Sequence, residues 1–154
     1  MLCRYMVFTG LLVSVLLGCS VQKNVVQQEP LTGREHLALG VAYERQGEWD
    51  LALQEYAQAS ESDPRGSFYM GNLLFQQNRL EDAEHAYRSA MERMRSDPDL
   101  FNNLAWLLYT RRDKLEEAEE LAGLAARLGG AERVDEYRDT LEQIRQAREE
   151  PGED

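Results

Sequence analysis

The chain has 154 residues, of which 43% are hydrophobic and 29% charged, and carries a formal net charge of −11. That size and balance suit one modest soluble domain, and so acidic a surface repels phosphate backbones and anionic headgroups, so nucleic acid is not an expected partner. Both cysteines, Cys3 and Cys19, lie in or beside the N-terminal apolar segment, which leaves the body no thiol pair for a disulfide.

Arg4 is the one charged residue among the first 18, so removing them would leave 16 basic against 28 acidic residues, a net charge of −12. Tyr5 to Leu17 is almost wholly apolar. That run is too short for a membrane-spanning helix, which needs about 20 apolar residues, but it has the length of a secretory leader. It ends Leu16-Leu17-Gly18-Cys19. This ending resembles the lipobox of bacterial lipoproteins, with Leu three places before the cysteine and a small residue just before it. The resemblance implies a signal peptide over 1–18, removed before Cys19, and a covalent lipid on the Cys19 thiol. Acyl chains stabilise membrane attachment by about 0.8 kcal/mol per buried CH₂. Ser20, where an Asp would favour inner-membrane retention, implies the periplasmic face of the outer membrane if the source is Gram-negative. No cofactor other than that lipid is expected. Residues 19–32 are Gln-rich and lack an apolar stripe, so they read as a flexible tether, with an r.m.s. reach of about 20 Å.

From Arg34 the pattern is helical. Gln46-Gly47 breaks the run, because Gly suits the left-handed position after a helix end. Leu51, Ala52, Leu53, Tyr56 and Ala59 give a second helix, ending near Asp63-Pro64. The pattern then returns. Gly40, Ala52, Tyr56 and Ala59 recur 31 residues later as Gly71, Ala83, Tyr87 and Ala90. Pro64 and Gly71 recur as Pro98 and Ala105, 34 residues on, and Ala83 and Ala90 as Ala118 and Ala125, 35 residues on. The second unit is expected to have a longer second helix before Pro98, and the third a longer turn at Arg111-Arg112-Asp113-Lys114. Val134, Tyr137, Leu141 and Ile144 form one apolar stripe of a last helix within 129–148. Residues 149–154 read as an acidic tail.

These motifs resemble the tetratricopeptide repeat, a helix–turn–helix unit of about 34 residues. His36, Leu39, Gly40, Tyr43, Ala52, Tyr56, Ala59 and Pro64 carry the first match, with His36 in place of the usual aromatic residue. Ser67, Met70, Gly71, Leu74, Ala83, Tyr87 and Ala90 carry the second, and Phe101, Leu104, Ala105, Leu108, Ala118, Ala122 and Ala125 the third. The resemblance implies an all-α solenoid of about three repeats over 33–128 plus a C-terminal capping helix. Gly40, Gly71 and Ala105 would face Ala52, Ala83 and Ala118 where paired helices come closest. Tyr56 and Tyr87 would fill the space between units.

In this family the first helix of each repeat lines a concave face. Carried onto this chain, the lining residues are Arg34, Leu37, Val41 and Glu44; Arg65, Phe68, Asn72 and Phe75; and Asp99, Asn102, Trp106 and Tyr109. A groove this rich in aromatic residues suits an apolar or amphipathic peptide. The same rings could instead pack against the tether, the last helix or a second copy of the chain. The Lys/Asn/Arg set with which chaperone-binding members clamp a terminal carboxylate is not evident. His36 and His85 have no metal-ligand spacing, and the sequence has neither a phosphate loop nor a nucleophile elbow. Pairs such as Glu116-Glu117 and Glu119-Glu120 read as solvated helix faces. The expectation is a non-enzymatic, lipid-anchored adaptor that holds a protein or peptide partner near the outer membrane. By analogy this points to pilus or secretion-system assembly. The alternatives are a self-associating structural lipoprotein, or an adaptor for cell-wall enzymes or outer-membrane machinery.

Overall fold

A computed structural model describes residues 29–149, whose regular elements are all α-helices. They are α1 (Gly33–Gln46), α2 (Trp49–Ser60), α3 (Arg65–Gln76), α4 (Leu80–Met91), α5 (Pro98–Thr110), α6 (Leu115–Leu128) and α7 (Val134–Glu149). Cys19, the expected lipidation site, the expected leader and most of the expected tether lie outside the described residues. Residues 150–154 of the expected tail do too, while Glu149 is the last residue of α7. No described helix is long and apolar enough to cross a membrane.

Local chemistry fixes where the helices start and turn. Thr32 closes a capping box on α1: its hydroxyl accepts from the Glu35 N–H at 3.3 Å, and its own N–H donates to the Glu35 carboxylate at 2.7 Å. Asp97 caps α5 through the Leu100 N–H at 3.0 Å, with Pro98 at the first helical position. All three hairpin turns use one device. Gly47, Asn78 and Arg112 adopt the left-handed conformation, with φ of 77°, 58° and 52°. The next residue's N–H then returns to the carbonyl of Tyr43, Leu74 or Leu108, at 3.0, 2.9 and 3.1 Å. These bonds satisfy carbonyls that the helix end leaves open. Only Gly47 announces the turn by residue type. The extra residues of the second repeat lie in the turn from Glu92 to Asp97 and not in a longer helix, since α2 and α4 are both 12 residues long.

The hairpins α1/α2, α3/α4 and α5/α6 stack in order, and α7 packs along α6 and touches α5. Ala52, Ala83, Ala118, Tyr56 and Tyr87 are buried, as are Leu104, Leu108 and Ile144. The partner of the small residue differs from expectation. A Cβ added at Gly40 would stand 2.4 Å from the Tyr56 ring, and one at Gly71 2.6 Å from the Tyr87 ring. The glycine makes room for a tyrosine and not for the alanine. In the third repeat Ala105 replaces the glycine and Ala122 the tyrosine, so volume added on one helix is removed from the other. Burial follows position in the stack. Leu104 is enclosed, while its first-repeat counterpart Leu39 is 37% exposed, because no helix precedes α1 among the described residues.

Charged residues join the stack on its outer side. Glu84, only 8% exposed, accepts from Arg88, Arg111 and Lys114 at 2.7–2.8 Å, and Arg88 reaches on to Glu117 at 2.7 Å. Burial pushes the Glu84 carboxyl up, but its bonds to Lys114 and Arg88 outweigh this and hold it below the ordinary value. Glu117 is therefore an inter-repeat tie and not a free solvated face. Glu119 likewise pairs with Arg145 and Arg148 of α7.

Gly71→Ala is expected to cost about 1–3 kcal/mol by overpacking against Tyr87, read as a lower urea midpoint at unchanged m-value. The double variant Gly71→Ala/Tyr87→Ala copies the Ala105/Ala122 arrangement and should lose less than the sum of the single changes. Strict additivity would mean that the two positions do not share this contact.

Candidate functional site

The first helices α1, α3 and α5 lie side by side and form the inner face of the stack. Between α3, α5 and α7 this face deepens into a cleft of about 560 Å³. Asn72, Phe75, Asn102 and Trp106 line it, as the sequence suggests. Gln76, Tyr87, Asn103, Glu136, Asp139, Thr140 and Gln143 line it as well. The last four belong to α7, so the capping helix is also a wall of the site.

The remaining candidates are dispersed. Leu37 is buried in the core of the first hairpin with Ala52, Tyr56 and Leu73, so it lines no groove, and Val41 packs on the same cluster. Arg34 is exposed, and Arg65 is folded back onto Asp63 at 2.5 Å. Phe68 meets Tyr69 edge to face at 5.8 Å between ring centroids, beside a smaller hollow that shares Asn72 and Asn103 with the cleft. Asp99 is not free for a partner. It accepts from Arg133 and from the Tyr137 hydroxyl, the latter at 2.6 Å. Tyr109 lies outside the cleft lining but supports Trp106, with centroids 5.1 Å apart, and carries Arg112 over its ring. His36 pairs with Glu55 at 2.7 Å and takes no part in the core. Among the described residues no cluster of His, Cys, Asp or Glu could hold a metal.

Hydrogen bonds orient the polar floor. The Asn72 side-chain oxygen accepts from the Tyr87 hydroxyl at 2.8 Å and from the Asn103 amide at 2.9 Å. Two donors on that oxygen fix the amide, leaving the Asn72 NH₂ and the Asn103 oxygen for a ligand. Burial pushes the Tyr87 hydroxyl well above its ordinary pKa, so it stays a donor at neutral pH. Tyr56 is shifted the same way, by burial and then by its 2.5 Å bond to Glu44. Burial followed by the bond to Asp99 pushes Tyr137 up to about 12.

Asn102 is different. It is 7% exposed, and its side-chain oxygen is enclosed without any hydrogen-bond donor. A buried unpaired acceptor costs about 1–3 kcal/mol. The sequence places Asn102 at a lining position, but only the structure shows that it is unsatisfied. Asn103 was legible as a second Asn one place along, 31 residues after Asn72. The α7 wall was legible as a polar stripe, since Glu136, Asp139, Thr140 and Gln143 recur at helical spacing beside the apolar one.

Stacked helical hairpins around an inner cleft define an α-solenoid repeat protein. The tetratricopeptide repeat family model matches residues 23–67 and 69–132, and the chain belongs to that family. Among solved structures, the first TPR of Spaghetti (RPAP3) bound to the HSP90 peptide SRMEEVD matches at 20% identity and TM-score 0.69, over 81% of this chain and 99% of that one. The type III secretion chaperone SycD of Yersinia enterocolitica, in complex with a peptide of the translocator YopD, matches at 19% and 0.66, over 75% and 94%. PilF of Pseudomonas aeruginosa matches at 23% and 0.58, over 79% of this chain and 62% of its own. At such identities the likeness establishes the fold alone. No curated protein matches the chain.

Asn102→Leu is expected to stabilise the free chain by about 1 kcal/mol or more, because it removes an unpaired acceptor at similar volume. Thermal unfolding measures this. A lower midpoint would mean that the amide is already satisfied.

Proposed function

We propose that this chain is a lipid-anchored tetratricopeptide adaptor that holds a peptide segment of a partner protein in the cleft between α3, α5 and α7, in pilus or secretion-system assembly at the periplasmic face of the outer membrane. The observation that carries the reading is the cleft itself. Phe75 and Trp106 offer apolar surface, and Asn72 and Asn103 offer a donor and an acceptor held in fixed orientation. Side chains of this kind recognise a peptide by anchoring one apolar residue and bonding the neighbouring backbone. The secretion chaperone SycD and the RPAP3 domain, both of this fold, have peptides in their solved complexes. The pilus or secretion part of the reading rests on analogy of fold alone. Leu16-Leu17-Gly18-Cys19 supports the anchor. With nine residues between Cys19 and Glu29, the repeats would stay within a few tens of ångströms of the bilayer.

Self-association is a second reading. Leu39, Trp49 and Leu51 of the first hairpin are 37%, 46% and 40% exposed at the open end of the stack. A sedimentation mass equal to that of the monomer at all concentrations would eliminate it.

A photoreactive residue at Phe75 in cells is expected to crosslink one specific protein, and Trp106→Ala should weaken binding of that protein at least about tenfold. Recovery of no specific protein would count against the cleft. Cys19→Ala should abolish labelling by radioactive palmitate and release the chain from the membrane fraction. Label retained in that variant would place the lipid elsewhere or show that the attachment is of another kind.

A further inference from the structure

We infer that the α7 wall makes the cleft selective for a peptide with a lysine or arginine beside its apolar anchor, and that Asp139 receives the cation. The inference rests on the cleft being the peptide site. The lining residues that carry charge at neutral pH, Glu136 and Asp139, are both carboxylates. Their situations differ. Glu136 is held by Arg133, with bonds of 2.9 and 3.1 Å. Arg133 also serves Asp99, and Arg138 is turned to Asp135 at 3.5 Å. Asp139 is exposed and has no ion pair among the described residues.

Three further features of the cleft favour a cation. The Trp106 indole and the Phe75 ring also line it, and an aromatic face attracts an ammonium or guanidinium, tryptophan most strongly. The Asn103 side-chain oxygen in the same lining, left open while its amide bonds Asn72, is an unused acceptor. The chain as a whole is at −11, which raises the local concentration of cationic segments and slows the approach of anionic ones. A peptide bearing a carboxylate would meet the unpaired Asp139, and the neighbouring Arg133 is already spent on Glu136 and Asp99.

Selection from phage-displayed random dodecapeptides tests this. The bait is the full-length chain in detergent, and the comparison variants are Asp139→Lys, Asp139→Asn and Trp106→Ala. Asp139 lies on an exposed helix face without a partner, so its replacement leaves the fold intact. The expected result is that wild type enriches peptides with Lys or Arg within a few residues of an apolar side chain. Asp139→Asn should bind a synthetic copy of the best peptide about three- to fivefold more weakly, a difference that shrinks at high salt. Asp139→Lys should enrich acidic residues in place of basic ones. Trp106-dependent peptides with no basic preference, or the same preference from Asp139→Lys, would overturn the inference and leave the cleft as the peptide site. If no enrichment depends on Trp106, the cleft reading falls as well.

Discussion

The separation of the two helices in a hairpin is set by a tyrosine ring lying where a glycine has no side chain. Gly40 and Tyr56, then Gly71 and Tyr87, make this contact. Because the ring passes so close to the first helix, its hydroxyl reaches the far side and emerges at the inner face. There Tyr56 donates to Glu44 and Tyr87 to Asn72. One side chain thus fills the core with its ring and orients a groove residue with its oxygen. Gly129 and Tyr137 make the same close approach beyond the last repeat, and the Tyr137 hydroxyl ends on Asp99 of α5. That bond helps fix α7 against the inner face, so the third tyrosine positions the wall of the cleft.

This dependence explains what the sequence made legible. Gly40, Tyr56 and their copies at constant spacing report a packing contact, and packing is what a repeat must preserve. The fold therefore follows from them. Turn geometry is less visible. Asn78 and Arg112 take the conformation that Gly47 takes without the glycine that signals it; asparagine tolerates it better than most residues, and arginine gives no sign of it. The six residues of the turn before Pro98 could be read as helix, because nothing in Glu92-Arg93-Met94 breaks one. Leu37 shows the limit of carrying a lining position over by register. In the first repeat the inward-facing residue has a hydrophobic neighbour, Leu73 of the next hairpin, and joins it.

The carboxylates show why charge is hard to place from sequence. Glu84, Glu117 and Glu119 occupy helix faces that look solvated one helix at a time. Stacking brings Arg111 and Lys114, from the next hairpin's turn, over Glu84, and brings Arg145 and Arg148 of α7 over Glu119. Each pair exists only once two repeats are in register. An exposed ion pair contributes little by itself. A carboxylate as enclosed as Glu84 matters more, because any slip of register would strand it without its partners. The ties therefore oppose misalignment more than they add to overall stability.

Fold and specificity separate at α7. The stacked hairpin scaffold is what this chain shares with its family, so the scaffold by itself does not distinguish one partner from another. The cleft is completed by residues outside the repeat motif: Glu136, Asp139, Thr140 and Gln143 on one side and the unpaired Asn102 in its lining. These residues carry the sign of the site and a polar atom that the free protein leaves unsatisfied. A purely structural capping helix would gain by presenting an apolar stripe to α6 and nothing inward, and a purely structural core would gain by a leucine at Asn102. The chain keeps the apolar stripe on α7 but adds a polar inner face to it and an asparagine where leucine would fit, and both departures fall on the same cleft. Local departures from good packing tend to mark where a molecule serves a ligand in preference to its own stability, and here they converge on the space between α5 and α7.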